Sequence, residues 1–119
     1  MKMVTQMKTF AMALDLMDEP GSIEKYKEYH KNVWPEVKEG LLEIGIEGME
    51  IYLLGDRLFM VVDTKDDFDI TTDFQKYTDS SDRAAQWDTL MRKYQKMTPF
   101  TEDGDWWAPM QRVFDLNPK

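Results

Sequence analysis

Two apolar runs meet across Gly55-Asp56, and this junction constrains the fold more than any other stretch. Residues 49–54 and 57–64 are rich in β-branched, aromatic and long apolar side chains. A two-residue connection with glycine at its first central position joins such runs as a tight hairpin. Within the second run, Leu58-Phe59-Met60-Val61-Val62 is apolar on both faces, which predicts a central strand covered on both sides. The rest of the chain must then supply further strands and cover.

Upstream, Phe10, Met12, Leu14 and Leu16 alternate with Thr9, Ala11, Ala13 and Asp15, the period of a strand over residues 8–16. Asp18-Glu19-Pro20-Gly21 makes a turn, and Ser22 is placed to cap a helix. Ile23, Tyr26, His30, Val33, Trp34, Val37, Leu41 and Ile44 recur at spacings of three and four, one face of an amphipathic helix ending near Gly45. His30 sits in the middle of that face. Pro35 has no backbone N–H to donate and crowds the carbonyl of Lys31, so the helix is expected to kink or restart there, one turn after His30.

Downstream, residues 66–81 are acidic and weakly patterned, with Phe68, Ile70, Phe74 and Tyr77 as anchors for a short helix. Ser81 is placed to cap a second main helix whose apolar face is Trp87, Leu90, Met91, Tyr94 and Met97, stopped by Thr98-Pro99. A turn at Glu102-Asp103-Gly104-Asp105 precedes a last expected strand over residues 110–116. The order strand, helix, strand, strand, helix, strand predicts an α+β fold of the ferredoxin-like βαββαβ type with an antiparallel sheet. Its helices cover one sheet face, and a second copy of the chain is the simplest cover for the other, so a homodimer packed sheet to sheet is expected. One domain spans residues 1–119, with residues 1–6 as a loose extension and Met7 as the functional start.

The 23 acidic against 15 basic residues leave a net charge of -8, which disfavours nucleic acid and anionic membrane as partners. No cysteine is present, which suits a reducing compartment, and no apolar run reaches the roughly 18 residues of a membrane helix. The cytoplasm is the expected location. One histidine without cysteine supports no recognisable metal site, and neither a glycine-rich phosphate loop nor a serine or cysteine nucleophile motif occurs.

Acid–base chemistry then falls to His30, the only histidine, with the Tyr26 phenol one turn earlier on the same face. Against this stands the commoner role of a histidine on an apolar helix face, a half-buried residue with one satisfied hydrogen bond. Four tryptophans, Trp34, Trp87, Trp106 and Trp107, offer rings that can stack on a sugar, although the periodicity of Trp34 and Trp87 also fits the core. Acidic Asp66, Asp67, Asp69 and Asp73 read as a solvated face.

Tyr26 and His30 four apart, Trp34-Pro35-Glu36 four beyond the histidine, Ile51-Tyr52-Leu53 in the hairpin, Trp87, and Val113-Phe114 together resemble the L-rhamnose mutarotase family, over residues 7–116. The resemblance implies a dimeric α+β barrel that interconverts sugar anomers without a cofactor. It implies His30 as proton donor and Tyr26 as a sugar contact. Trp87 matches the first ring of a paired-tryptophan sugar site whose second ring is Asp88 here, and Met49 stands where the rhamnose enzyme carries a tyrosine. Met49, Trp87 and Asp88 are thus expected to bind and select the sugar, with Trp34, Tyr52 and Trp106 lining the pocket.

Mutarotation opens a cyclic hemiacetal by protonating the ring oxygen while the anomeric hydroxyl loses its proton, and closure reverses both transfers. A group near pKa 6.5 serves in both directions. The expected substrate is a 6-deoxy aldose of the L-rhamnose or L-fucose type. Two other readings remain open at this level: a non-catalytic dimeric barrel that binds a small molecule, and an oxygenase of the same architecture, cofactor-free or with His30 on haem.

Overall fold

The computed structural model describes residues 7–117. Three long strands form the sheet: β1 (Met7–Leu16), β2 (Ile46–Leu54) and β3 (Arg57–Lys65). β3 lies between the other two and is antiparallel to both, paired with β1 from Met7 opposite Lys65 to Asp15 opposite Arg57, and with β2 from Ile46 opposite Thr64 to Leu54 opposite Arg57, with a register shift between Ile46 and Gly48. Gly55 at φ +62° supplies the left-handed backbone that a two-residue hairpin turn requires. The outer edge of β1 takes two short strands, β4 (Gln95–Lys96) and β5 (Ala108–Pro109). The sheet order β2-β3-β1-β4 is that of the expected antiparallel α+β fold.

Alternation assigns the two faces. Met12, Leu14 and Leu16 with Leu58, Met60 and Val62 are buried and pack against the helices α1 (Ser22–Lys31), α2 (Pro35–Glu43), α3 (Ile70–Ser80) and α4 (Asp82–Arg92). On the other face Phe59 and Val61 are half-buried, and Arg57 Nε donates to the buried Asp15 Oδ1 at 2.7 Å. β3 is therefore central, but within one chain only its helix-facing side is fully buried.

Of the two outcomes expected at Pro35, the helix restarts. Trp34 takes an extended backbone (φ -57°, ψ 135°), as a residue preceding proline prefers, and Pro35 opens α2 where its missing N–H is harmless. Ser81 caps α4, accepting from the Ala84 N–H at 3.0 Å. Ser22 does not cap α1. It is the first helical residue, buried behind Gly21, and its own N–H donates to the Glu19 carbonyl.

Two expectations at the C-terminal end need correction. α4 stops at Arg92, so Tyr94 and Met97 leave the helix: the Tyr94 carbonyl accepts from the Met17 N–H, and Gln95 pairs with Leu16. Residues 110–116 are not a strand. Pro109 carries no N–H for the ladder, pairing ends after the Met110 N–H donates to the Ala11 carbonyl, and Val113, Phe114 and Leu116 are exposed. Past Met110, among the described residues, this run meets no strand within its own chain.

α2 and α3 approach closely at Gly40, where an added Cβ would stand 2.6 Å from Cε1 of the buried Tyr77 ring. Gly40→Ala is expected to destabilise the fold by about 1–3 kcal/mol through overpacking, larger than the ~1 kcal/mol that alanine gains in helix propensity. Urea unfolding checks this, and adding Tyr77→Leu to Gly40→Ala should recover part of the loss.

Candidate active site

α1 places Tyr26 and His30 one turn apart, and their rings stack with centroids 4.2 Å apart. His30 Nδ1 lies 2.8 Å from the Tyr26 carbonyl oxygen. A carbonyl only accepts, so Nδ1 carries the proton and Nε2 keeps its lone pair. Burial lowers the His30 pKa below its ordinary 6.5, with the Tyr26 carbonyl bond opposing that shift. The imidazole is therefore neutral at pH 7, with a basic nitrogen at Nε2.

α4 brings Trp87 edge-on to three rings from the α1–α2 segment, with centroids 5.5 Å from His30, 5.1 Å from Trp34 and 6.3 Å from Tyr29. The Arg83 guanidinium covers the Trp34 ring at 3.7 Å and donates to Glu36 Oε2 at 3.0 Å. Break and helix are thus clasped together beside His30.

Tyr26 is 4% exposed, and burial pushes its phenol up to about 12, with the Gln95 bond working the other way. Gln95 Nε2 donates to the Tyr26 hydroxyl at 3.2 Å, while its Oε1 accepts from Trp106 Nε1 at 2.9 Å. The Arg92 guanidinium lies 4.5 Å above the Trp106 ring and donates to Asp88 Oδ2 at 3.0 Å. The buried Tyr77 hydroxyl makes no hydrogen bond among the described residues, and burial, then the Asp88 charge, raises that phenol to about 12.

The structure thus gathers Tyr26, His30, Trp34 and Trp87, and links Trp106 to Tyr26 through Gln95. Asp88 is half-exposed and held by Arg92. Met49 packs instead on the neighbouring group of Met12, Ile46, Met60, Val62 and Phe68. Tyr52 opposes Phe59 on the sheet face away from the helices, is 54% exposed, and donates to Glu50, so it lies apart from this aromatic group. A shallow depression of about 380 Å³ along α4, lined by Asp82, Gln86, Thr89 and Lys93 among others, contains none of the aromatic group. Gln95 escaped the sequence reading because its partners lie 69 and 11 residues away, and no local pattern marks a glutamine that joins them.

The L-rhamnose mutarotase family model matches residues 9–116. An L-fucose mutarotase of Xanthomonas campestris pv. campestris is 34% identical over 93% of this chain and 90% of its own length. A UPF0734 protein of Dictyostelium discoideum is 50% identical over 92% of this chain and 90% of its own. Among solved structures, an L-rhamnose mutarotase of Formosa agariphila superposes with a TM-score of 0.66 at 20% identity, covering 92% of this chain and 99% of that one. A tetracenomycin F2 cyclase of Streptomyces glaucescens, a type-II polyketide cyclase, shares the fold with a TM-score of 0.59 at 15% identity over 94% and 99%. A family match along almost the whole described chain, joined to a mutarotase relative above 30% identity, makes this protein a member of the L-rhamnose mutarotase family.

Proposed function

We propose that this protein is an isomerase that interconverts the α and β anomers of a 6-deoxy aldose of the L-rhamnose or L-fucose type, with His30 as its acid–base group. The observation that carries the reading is the Nδ1–H committed to the Tyr26 carbonyl, which leaves a neutral imidazole with Nε2 as a base. Nε2 takes the proton of the anomeric hydroxyl as the C1–O5 bond opens. Tyr26 acts as donor to the ring oxygen, which becomes the hydroxyl of the open aldehyde. Rotation about C1–C2 and closure on the other carbonyl face return both protons.

Trp87 and Trp34 offer rings to the C–H face of the sugar, and Asp88 acts on the site through Arg92 and Trp106. Met49 contacts the sugar from the adjacent apolar group. The assembly proposed is a cytoplasmic homodimer of one-domain subunits, supported by the exposed apolar side chains Val113, Phe114 and Leu116 and by the half-buried Phe59 and Val61.

Exchange of the anomeric protons of L-rhamnose and L-fucose, followed by NMR with and without protein, tests the reading. Faster exchange than in buffer is expected for at least one of them, and buffer-like exchange for both overturns it. The pH profile adds a sign. The base is active above the folded His30 pKa, so activity holds near neutrality and falls as acid protonates Nε2, with half-loss below pH 6.5.

A further inference from the structure

The bonds around Gln95 have a fixed direction. An indole N–H can only donate, so the Gln95 atom facing Trp106 at 2.9 Å is its carbonyl oxygen. The amide nitrogen must then face Tyr26, and because an amide N–H also only donates, the Tyr26 oxygen accepts it at 3.2 Å. The reverse amide orientation would set two N–H donors against each other at a glutamine that is 5% exposed. Trp106 is itself held from outside, under Arg92 and its Asp88 partner. A directed run of contacts therefore leads from the half-exposed Asp88 inward to Tyr26 and leaves the phenolic proton out of the Gln95 bond.

We propose that Gln95 is a positioning residue for anomer exchange: by donating to the Tyr26 oxygen it keeps the phenolic proton available to the sugar, so that Tyr26 serves as donor rather than acceptor. The proposal rests on the reading of Tyr26 and His30 as the proton-handling pair. It also explains why a glutamine stands here. Glutamate, its nearest isostere, accepts with both oxygens when ionised and would draw the Tyr26 proton toward itself.

Gln95→Glu is the decisive variant. Above the pKa of the new carboxyl, kcat should fall about 10- to 100-fold with KM little changed, a size expected for weakening one general acid. As pH falls and the carboxyl takes up a proton, it can again donate to Tyr26, so the ratio of variant to wild-type kcat should climb toward one. Taking the ratio cancels the titration of His30, and a merely structural defect would not recover in acid. The Trp106 indole N–H resonance in a ¹⁵N–¹H spectrum reports, independently of activity, that the contact persists.

Wild-type kcat in Gln95→Glu at neutral pH, with the indole contact intact, overturns the assignment, and so does a loss that acid does not restore. Should Gln95→Glu fail to fold, Trp106→Phe frees the amide to rotate. It should then lower kcat about twofold to tenfold, and an unchanged kcat again overturns the assignment. An inactive wild type sinks the functional reading and this proposal with it, whereas an active wild type matched by an equally active Gln95→Glu sinks the assignment alone.

Discussion

His30→Ala should lower kcat/KM for anomer exchange by about 100- to 10,000-fold, the span typical of a lost general acid–base group. Neither neighbouring phenol can take over as the base at neutral pH, since burial pushes both Tyr26 and Tyr77 up to about 12 and keeps them protonated. The fold should survive, because His30 is half-buried in the last turn of α1 and removing it takes away one ring contact with Tyr26 and one with Trp87. A second consequence is visible in stability alone. The folded pKa of His30 lies below its unfolded value, so between the two the unfolded state binds more protons, and wild type loses stability as pH falls through that window. The alanine variant lacks this slope. NMR exchange rates and urea midpoints at pH 7 and pH 5 check both; an alanine variant with full activity would remove His30 from the chemistry.

Trp87→Ala should destabilise the protein by about 3–5 kcal/mol, the usual cost of emptying a large buried aromatic site. Trp87 is the ring that Tyr29, His30 and Trp34 all meet, and it belongs to the core formed with Leu16, Tyr26, Val37, Leu58 and Met91. Its loss therefore acts on stability and on the placing of His30 together. Trp87→Phe separates the two: it refills part of the volume and should recover more than half of the stability, while sugar KM stays raised because the wider indole face is gone. Denaturant midpoints and exchange kinetics on the same two variants make the comparison. A Trp87→Ala protein as stable as wild type would mean that the aromatic group is not a packed core.

Wherever local periodicity and one neighbouring residue decide the outcome, the sequence was enough. Strands β1, β2 and β3, the hairpin turn at Gly55, the break before Pro35 and the Ser81 cap are all of this kind. Tyr26 and His30 were legible as a pair because a helix places residues four apart on one face. The failures are non-local. Residues 110–116 have the composition of a strand, but a strand needs a partner edge, and none is met among the described residues past Met110. Helix α4 ends early because the edge of β1 recruits the backbone at Tyr94 and Gln95. Alternation puts Tyr52 out of phase with Ile51, which packs toward the helices.

The short strands β4 and β5 contribute two residues each to the edge of β1, whereas β3 runs alongside it for nine paired positions. Cooperative openings start where few ladder bonds must break, so this edge is the low-energy fracture line of the molecule. Gln95 lies in β4 itself, and Trp106 two residues before β5. An excursion that lifts the edge would part the Tyr26 hydroxyl from Gln95 while the β1–β3 ladder and α1 stay folded. The proton orientation proposed for Tyr26 would thus have its own, smaller melting free energy, and heat or mild denaturant would scramble it before the protein as a whole comes apart.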